Sequence, residues 1–559
     1  MDLKDKLLSI KKTYYQKKLF LLKYIFSIVV LVLAVSNTKN IGYSFLSFLE
    51  LSFIFALSNF FIKKVRVITQ VLNSLLILLF NIQLLILNFG SSYVTLTMID
   101  NISSWEALDG RAFIYCLAIF LLIIFSLLPI NEVPLFDISK FKRAKLSSHS
   151  IWKFQDIILA FLILMFEFIS FLYLPPKMSP ALSTYFLVQN KIEFEKIKHE
   201  SITKTDKLTE KFAKNEVHDF IKKPSNLPEK PNVILIFTEG FSQHIIDDSR
   251  NITPTIKDYE SKSISFKNYY NHTFATYRGI QSQLFSGYQI ENNSRNYLVS
   301  LPKLLSKKGY KTAFINTEPK NKEFSSYLSD LGFDKVYSSK LENGQKISYD
   351  KEAYEELFSK VERYSKNDSP FFVSMYTFGT HVGSDGNNKF GDGNDRVLNK
   401  FYEMDQQFKT FMEKFNSSPI ANNTVLIFTT DHATYVDDEY KKAFPNENRD
   451  YVSLDRIPYF IYYKGINPQI IDANGRNSLD MAPTILDFLD YSSKNYFLGT
   501  SLFSGSEEHN LLSSIYSEGT VLMKTSNNKI SEIEENEIKE IKEIVFDYFK
   551  VSQIKIPTN

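Results

Sequence analysis

The sequence predicts two architectures in series, a bundle of five membrane-spanning helices followed by a water-soluble α/β domain. Three observations lead there. Roughly the first third of the 559 residues runs in long stretches of Phe, Leu and Ile. The remainder mixes Lys, Glu, Asp and Asn with short apolar stretches. From Pro231 onward, β-branched or apolar runs of strand length alternate with amphipathic helical patterns. Mean hydropathy over the whole chain is slightly negative and hides the division.

Five apolar stretches approach the roughly 20 residues that cross a bilayer as helix. They are Leu19 to Val35, Ile41 to Ile62, Val67 to Phe89, Phe113 to Ile130, and Ile157 to Leu174. The first does not read as a signal peptide, because further apolar spans follow and no small-residue cleavage site is evident. Basic residues set the orientation. Lys4, Lys6, Lys11, Lys12, Lys17 and Lys18 precede the first span, Lys63, Lys64 and Arg66 follow the second, and Lys140, Lys142, Arg143, Lys145 and Lys153 follow the fourth. The alternate loops carry little beyond Lys39 and Arg111. The N-terminus is therefore expected in the cytoplasm of a bacterial inner membrane, with everything after Leu174 outside.

Glu50 and Glu167 fall inside apolar runs, where an ionisable group is costly and often functional. The blander expectation is that each lies near a helix end or snorkels. Between Ser179 and Lys230, helical spacing of Phe194, Ile197, Ile202 and Leu208 predicts connector helices along the membrane surface. The expected domains are thus 1–176 in the membrane, 177–230 as connector, and 231–559 as the extracytoplasmic part.

The net charge of +3 is small, and no basic cluster interleaves with aromatics in the soluble part, so nucleic acid is not an expected partner. The single cysteine, Cys116, lies in an apolar run, which rules out an intramolecular disulfide. Stability must come from packing, with a metal as a possible addition.

Strands are predicted at Asn232 to Phe237, Thr312 to Ile315, Pro370 to Tyr376, Thr424 to Phe428 and Ile457 to Tyr462, with a helix from Asp480 to Leu489. Open α/β sheets bind ligands at the carboxyl ends of their strands. Those ends carry Glu239, His381, and the pair Asp431 and His432. One such end alone reads as a turn. Three in one sheet suggest a metal such as Zn²⁺ or Mn²⁺, held by oxygen and nitrogen with a position left open.

The nucleophile candidate is Thr276, in Thr276-Tyr277-Arg278-Gly279 at a predicted helix start. A threonine hydroxyl attacks poorly unless a metal lowers its pKa. Arg278 offers a fork of donors for phosphate, and Gly279 permits a close turn into a helix whose N-terminus also favours an anion. The competing reading is an ordinary loop-to-helix junction with Thr276 as N-cap.

A Glu after the first strand, Thr-x-Arg-Gly at a helix start, a later Phe-Phe run leading to Thr380-His381, and Asp431-His432 after a late strand together resemble the sulfatase-like branch of the alkaline phosphatase superfamily. With five preceding spans the chain is similar to lipoteichoic acid synthases and phosphoethanolamine transferases. Leu304 to Thr312, Leu331 to Asp334 and Ser478 to Thr484 extend the likeness.

The resemblance implies one divalent metal, Zn or Mn, bound by Glu239, Thr276, Asp431 and His432, with His381 near the substrate phosphate and Asp405 structural. It further implies transfer of a phosphorylated head group from a membrane phospholipid, through a phospho-threonine, to an extracytoplasmic glycan or glycolipid. The chain departs from lipid A-modifying relatives in having no disulfides. No histidine falls between His432 and His509, so a second imidazole beyond the Asp-His pair is not evident. A phosphoester or sulfoester hydrolase and a non-catalytic membrane sensor use the same fold. Thr rather than Cys or Ser at the nucleophile position argues against a sulfatase, and the complete Glu, Thr, Asp and His set argues against a sensor.

Overall fold

Long apolar runs become helices because a helix satisfies its own backbone polar groups where no water is available to do so. In the computed structural model the chain divides into two units, Met1–Glu193 and Phe194–Asn559. The described residues are 3–38, 40–90, 92–100, 112–132, 155–199, 205–291, 294–341, 349–367, 369–447, 449, 454–505, 514–517 and 521–555. Lys39, Arg111, His509 and the basic segment from Lys140 to Lys153 lie outside them.

The helices of the first unit are α1 (Leu3–Thr38), α2 (Ile41–Phe61), α3 (Arg66–Gly90), the single turn α4 (Leu96–Asp100), α5 (Ala112–Ser126) and α6 (Gln155–Ser170), followed by α7 (Pro180–His199). Among the described residues, three helical stretches are long and apolar enough to cross a membrane: Lys18–Ser36, Ile41–Phe61 and Arg66–Phe89. The fourth and fifth expected spans form α5 and α6, of 15 and 16 residues. At 1.5 Å per residue these reach about 22 to 24 Å, less than a hydrocarbon core of about 30 Å.

Polar side chains inside this unit tie helix ends together. Lys23 on α1 donates to the Ser74 hydroxyl at 3.2 Å and to the Leu128 carbonyl, just past α5, at 3.1 Å. Glu50 is buried in α2 and accepts from the Ala181 N–H at 3.0 Å and from the Ser179 hydroxyl, both at the start of α7. Glu50 therefore neither snorkels nor sits at a helix end; it caps another helix. Glu167, in the last turn of α6, meets Glu50 carboxyl to carboxyl.

In the second unit the strands are β1 (Asn232–Thr238), β2 (Ile264–Lys267), β3 (Lys311–Asn316), β4 (Lys335–Ser338), β5 (Phe371–Tyr376), β6 (Thr424–Thr430), β7 (Phe460–Tyr462) and β8 (Gln469–Asp472). They form one sheet in the order β4-β3-β5-β1-β6-β7-β2-β8. The five strands from β4 to β6 in that order run parallel, and β7 runs antiparallel to both neighbours. Every residue of β1, β5 and β6 is buried, as parallel strands covered by helices on both faces must be. Because β1 lies between β5 and β6, the chain turns in opposite directions from it, and the carboxyl ends of all three meet at one edge.

The helices of this unit are α8 (Thr205–Phe212), α9 (Gln243–Asp247), α10 (Pro254–Ser261), α11 (Thr276–Phe285), α12 (Leu301–Lys307), α13 (Lys322–Asp330), α14 (Asp350–Tyr364), α15 (Arg396–Ser417), α16 (Asp438–Ala443), α17 (Met481–Phe488) and α18 (Glu535–Ser552). On α15, Asp405 accepts the Ile256 N–H of α10 at 2.8 Å.

Three sequence expectations need correction. The helical pattern predicted over 179–230 stops at Phe212, and Pro224 and Pro228 bar a helix from resuming through the end of that stretch. Instead, Lys214 pairs with Asn495, and Asp487 accepts the Phe220 N–H at 2.9 Å. The strand expected at Ile457 to Tyr462 shrinks to three residues because Pro458 has no N–H to give a ladder. The short strands β2, β4 and β8, and a separate antiparallel sheet of β9 (Ser514–Ser517), β10 (Val521–Ser526) and β11 (Lys529–Glu532), were not predicted. Asn527 and Asn528, both at positive φ, make the two-residue turn between β10 and β11.

Candidate active site

The edge where β1, β5 and β6 end gathers the site. Glu239 follows β1, and the chain turns at once through Gly240, whose φ of +45° suits glycine. The Gly240 N–H donates to Asp431 Oδ1 at 2.8 Å, and the His432 N–H donates to the same oxygen at 2.7 Å. That fixes the Asp431 carboxylate and leaves Oδ2 buried without a hydrogen-bond partner. His432 Nδ1 lies 2.7 Å from the Ala433 carbonyl, so it is the protonated nitrogen and Nε2 presents a lone pair. Nε2 is 3.5 Å from Glu239 Oε1 and 3.4 Å from Asp431 Oδ2.

Thr276 reaches this cluster from α11. It is half-buried, and its hydroxyl donates to Glu239 Oε2 at 3.1 Å. The N-cap of α11 is Ala275, not Thr276, and Ala275 holds a φ of +77°, a strained value for a residue with a Cβ. The strain turns the chain sharply so that the first helical side chain faces Glu239. Gly279 lets α11 lie against the Asp431 backbone, since a Cβ there would fall 2.2 Å from the Asp431 carbonyl oxygen. Gln283, one turn on, donates to the Thr430 and Asp431 carbonyls at 2.9 and 3.1 Å.

His381 stands after β5, partly exposed, with its ring stacked on Phe378 at 4.7 Å between centroids. Its Nδ1 faces the Val382 carbonyl at 3.2 Å, and its charge interacts with that of Glu239. The turn leading to it is held by Asp350, which accepts the Phe378 and Gly379 N–H groups at 2.8 and 3.1 Å. Arg278, two residues after Thr276 on α11, is buried at 2% exposure.

Electrostatics single the cluster out. Burial pushes Asp431 above the usual carboxylate range, and the neighbouring Glu239 charge adds to the shift. Burial also works against Glu239, but His432, His381 and the hydroxyls of Tyr376 and Thr276 outweigh it and leave Glu239 below its usual value. Burial opposes the charged form of His432, and Asp431 and Glu239 override it, raising that pKa. Two buried carboxylates, an unmet carboxylate oxygen and an imidazole lone pair form a donor set that fits a divalent cation. The ligand atoms of Glu239, Asp431 and His432 all lie within 4.8 Å of one another.

A second group, His244, Glu447 and Asp455, is equally tight. There the Arg449 guanidinium already sits 2.9 Å from Asp455 Oδ2, so the cation position is filled by the protein itself. Sequence reasoning missed Tyr376, whose hydroxyl donates to Glu239 Oε2, and Phe274, whose ring lies 4.5 Å from that of His432. Tyr376 was findable as the last residue of a strand in the same sheet. Phe274 was not, since nothing in its local sequence distinguishes it from a core residue.

Residues 231–491 match the family model described as Sulfatase. Lipoteichoic acid synthase 2 of Bacillus subtilis is 24% identical over 331 residues, covering 51% of this chain and 50% of the relative. Phosphoglycerol transferase I of Escherichia coli O127:H6 is 24% identical over 330 residues, covering 51% and 41%. The chain thus spans about half the length of the curated relatives it matches. Among solved structures, the integral membrane protein lipooligosaccharide phosphoethanolamine transferase A (EptA) from Neisseria meningitidis aligns over 84% of this chain and 95% of that one, with a TM-score of 0.52 at 13% identity. That likeness concerns the fold.

Proposed function

We propose, from the premise that residues 231–491 are a sulfatase-family domain of the alkaline phosphatase superfamily, that this chain is a membrane-anchored transferase of phosphorylated head groups. The donor is a membrane phospholipid, the group moved is phosphoethanolamine or phosphoglycerol, and the acceptor is an extracytoplasmic glycan or glycolipid. Curated relatives are phosphoglycerol transferases and lipoteichoic acid synthases, and a structural neighbour is a phosphoethanolamine transferase. The membrane domain spans residues 1–176 with five crossings, 177–230 connects, and 231–559 lies outside the cytoplasm. The basic residues before Leu19 and those after α2 support that orientation.

The observation that carries the proposal is the Thr276 hydroxyl, accessible and 3.1 Å from Glu239, beside an unmet Asp431 oxygen and the His432 lone pair. Glu239, Thr276, Asp431 and His432 would hold one Zn²⁺ or Mn²⁺, which when bound lowers the pKa of the threonine hydroxyl and offsets charge on the phosphate. Thr276 Oγ1 attacks phosphorus, the bond from phosphorus to the diacylglycerol oxygen breaks, and diacylglycerol leaves with a proton. An acceptor hydroxyl then attacks the phospho-threonine, the bond from phosphorus to Thr276 Oγ1 breaks, and the acceptor's proton passes to Oγ1, restoring the hydroxyl. His381, partly exposed after β5, and Arg278, whose guanidinium offers a fork of donors, are the groups that bind the substrate phosphate.

The full-length protein incubated with phosphatidylglycerol or phosphatidylethanolamine, then digested, yields a Thr276 peptide carrying the head-group phosphate by mass spectrometry. An unmodified Thr276 peptide during active turnover would refute the covalent route.

A further inference from the structure

Lys400 lies in the second turn of α15 and was not singled out by its sequence context. Its side chain is buried, at 6% exposure. The ammonium donates to the His381 carbonyl oxygen at 3.3 Å and lies 5.3 Å from the Phe401 ring centroid. An ammonium carries three donors. Among the described residues one of them meets an acceptor, and no carboxylate is paired with it.

Burial pulls the Lys400 pKa down to about 8, and the charges of Asp437, Glu239 and Glu439 oppose that fall while Arg396 adds to it. It therefore remains a cation at neutral pH. Its charge also bears on His381, whose ring burial already keeps below the ordinary histidine range. A buried cation with unfilled donors is costly unless an anion comes to it. Holding one carbonyl does not require a charge, because an amide side chain donates as well. The charge calls for another explanation, and the nearest functional feature is the His381 turn at the mouth of the site.

We propose that Lys400 is a phosphate-binding residue of this site, donating to a non-bridging oxygen of the phosphoryl group being transferred. The proposal rests on the head-group transfer reading. The His381 carbonyl keeps the ammonium on that side, so one contact anchors the lysine and the remaining donors serve the ligand. Donor phosphodiester and inorganic phosphate present the same oxygens, and both probes are needed to separate the sources.

The test uses the full-length protein in detergent micelles or vesicles, comparing wild type with Lys400→Met, Lys400→Gln and Lys400→Arg. Inorganic phosphate binding is followed by ³¹P NMR, and head-group release is measured while the mole fraction of phosphatidylglycerol or phosphatidylethanolamine is varied. Loss of one charge-assisted hydrogen bond should weaken phosphate binding and raise the donor KM by about tenfold in the Met and Gln variants. Lys400→Arg should recover most of the loss. Lys400→Gln keeps the donor to His381 without the charge, so it decides the matter if Lys400→Met does not fold.

Weakened inorganic phosphate binding with unchanged donor KM would mean that Lys400 meets a phosphate other than the donor's, and would overturn the assignment. Unchanged phosphate affinity with only kcat reduced would show that the lysine merely props the His381 turn. Absence of a Thr276 adduct in wild type would defeat the transfer reading instead, while the inorganic phosphate arm still reports on Lys400.

Discussion

Gly279→Ala sets two effects against each other, and the structure decides between them. Alanine is favoured over glycine in a helix interior by about 1 kcal/mol, and Gly279 lies within α11 without a positive φ. Propensity alone predicts a more stable protein. The added Cβ, however, would sit 2.2 Å from the Asp431 carbonyl oxygen and 2.8 Å from its carbon. An ordinary carbon–oxygen approach is roughly 3.3 Å, so α11 and the Asp431 turn must part by about 1 Å. The carbonyl cannot swing aside freely, because Gln283 donates to it at 3.1 Å.

Overpacking of this kind costs about 1 to 3 kcal/mol, which leaves a net loss of about 0 to 2 kcal/mol after the helix gain. The melting temperature should therefore change by only a few degrees. Activity is the sensitive readout, since a displacement of about 1 Å at reacting groups costs on the order of a hundredfold. Head-group release by the full-length variant should fall by that order while thermal unfolding stays cooperative. An alanine variant that turns over at the wild-type rate and melts higher would show that the close approach of α11 to Asp431 does not set the position of Thr276.

Four further outcomes follow from the same site. Metal affinity, measured by competition with a chelator, should fall at least tenfold for each pH unit below about 7, because the proton that burial holds on Asp431, and the one that the carboxylates favour on His432, must leave for the metal to bind; a flat profile from pH 5 to 7 would contradict this. Tyr376→Phe removes a hydroxyl from Glu239 Oε2 and should lower kcat by about tenfold with metal content retained; elemental analysis and initial rates check it. Thr276→Ser keeps the hydroxyl and should retain measurable turnover, whereas Thr276→Ala should have none and still fold; wild-type rates from the alanine variant would remove Thr276 from the mechanism. Burial raises the Asp350 pKa to about 6, so its protonated form favours the fold below about pH 4 and that contribution, about 3 kcal/mol, is lost as pH rises through about 6. Asp350→Asn should flatten the pH dependence of urea unfolding between pH 4 and 7, and an unchanged slope would place the titration elsewhere.

Legibility in the sequence followed physical range. The strands β1, β5 and β6 were readable because fully buried parallel strands are unbroken apolar runs, and their ends could be searched for chemistry. Glu239, His381, Asp431 and His432 were nominated that way, and Thr276 from the Thr-x-Arg-Gly pattern at a helix start; Glu239, Asp431, His432 and Thr276 come together in the structure. Arg278 was nominated by its distance from Thr276 along the chain, and it is buried in α11. The strands β2, β4 and β8 are four residues each, too short for a periodic signal, and form only by pairing with neighbours distant in sequence. Lys400 owes its place to tertiary packing of α15, which no local pattern encodes, whereas Tyr376 ends a readable strand. The apolar helices of the first unit were legible in position, while α5 and α6 came out shorter than their apolar runs because the chain leaves the helix after Ser126 and Ser170.

The far end of α11 depends on a part of the chain made much later. Tyr548 of α18 donates to the Phe285 carbonyl at 3.2 Å, across 263 residues of sequence, and its ring fills the space that any Cβ on Gly287 would need. The Tyr297 N–H likewise waits for the Ser552 carbonyl, 2.7 Å away. At a synthesis rate of about 5 to 20 residues per second, roughly 13 to 50 seconds separate the emergence of these partners. During that interval the helix carrying Thr276 exists without the contact that closes its C-terminal end. A nascent chain stalled before residue 548 should accordingly be inert, and activity should switch on with the arrival of α18 rather than grow in step with chain length.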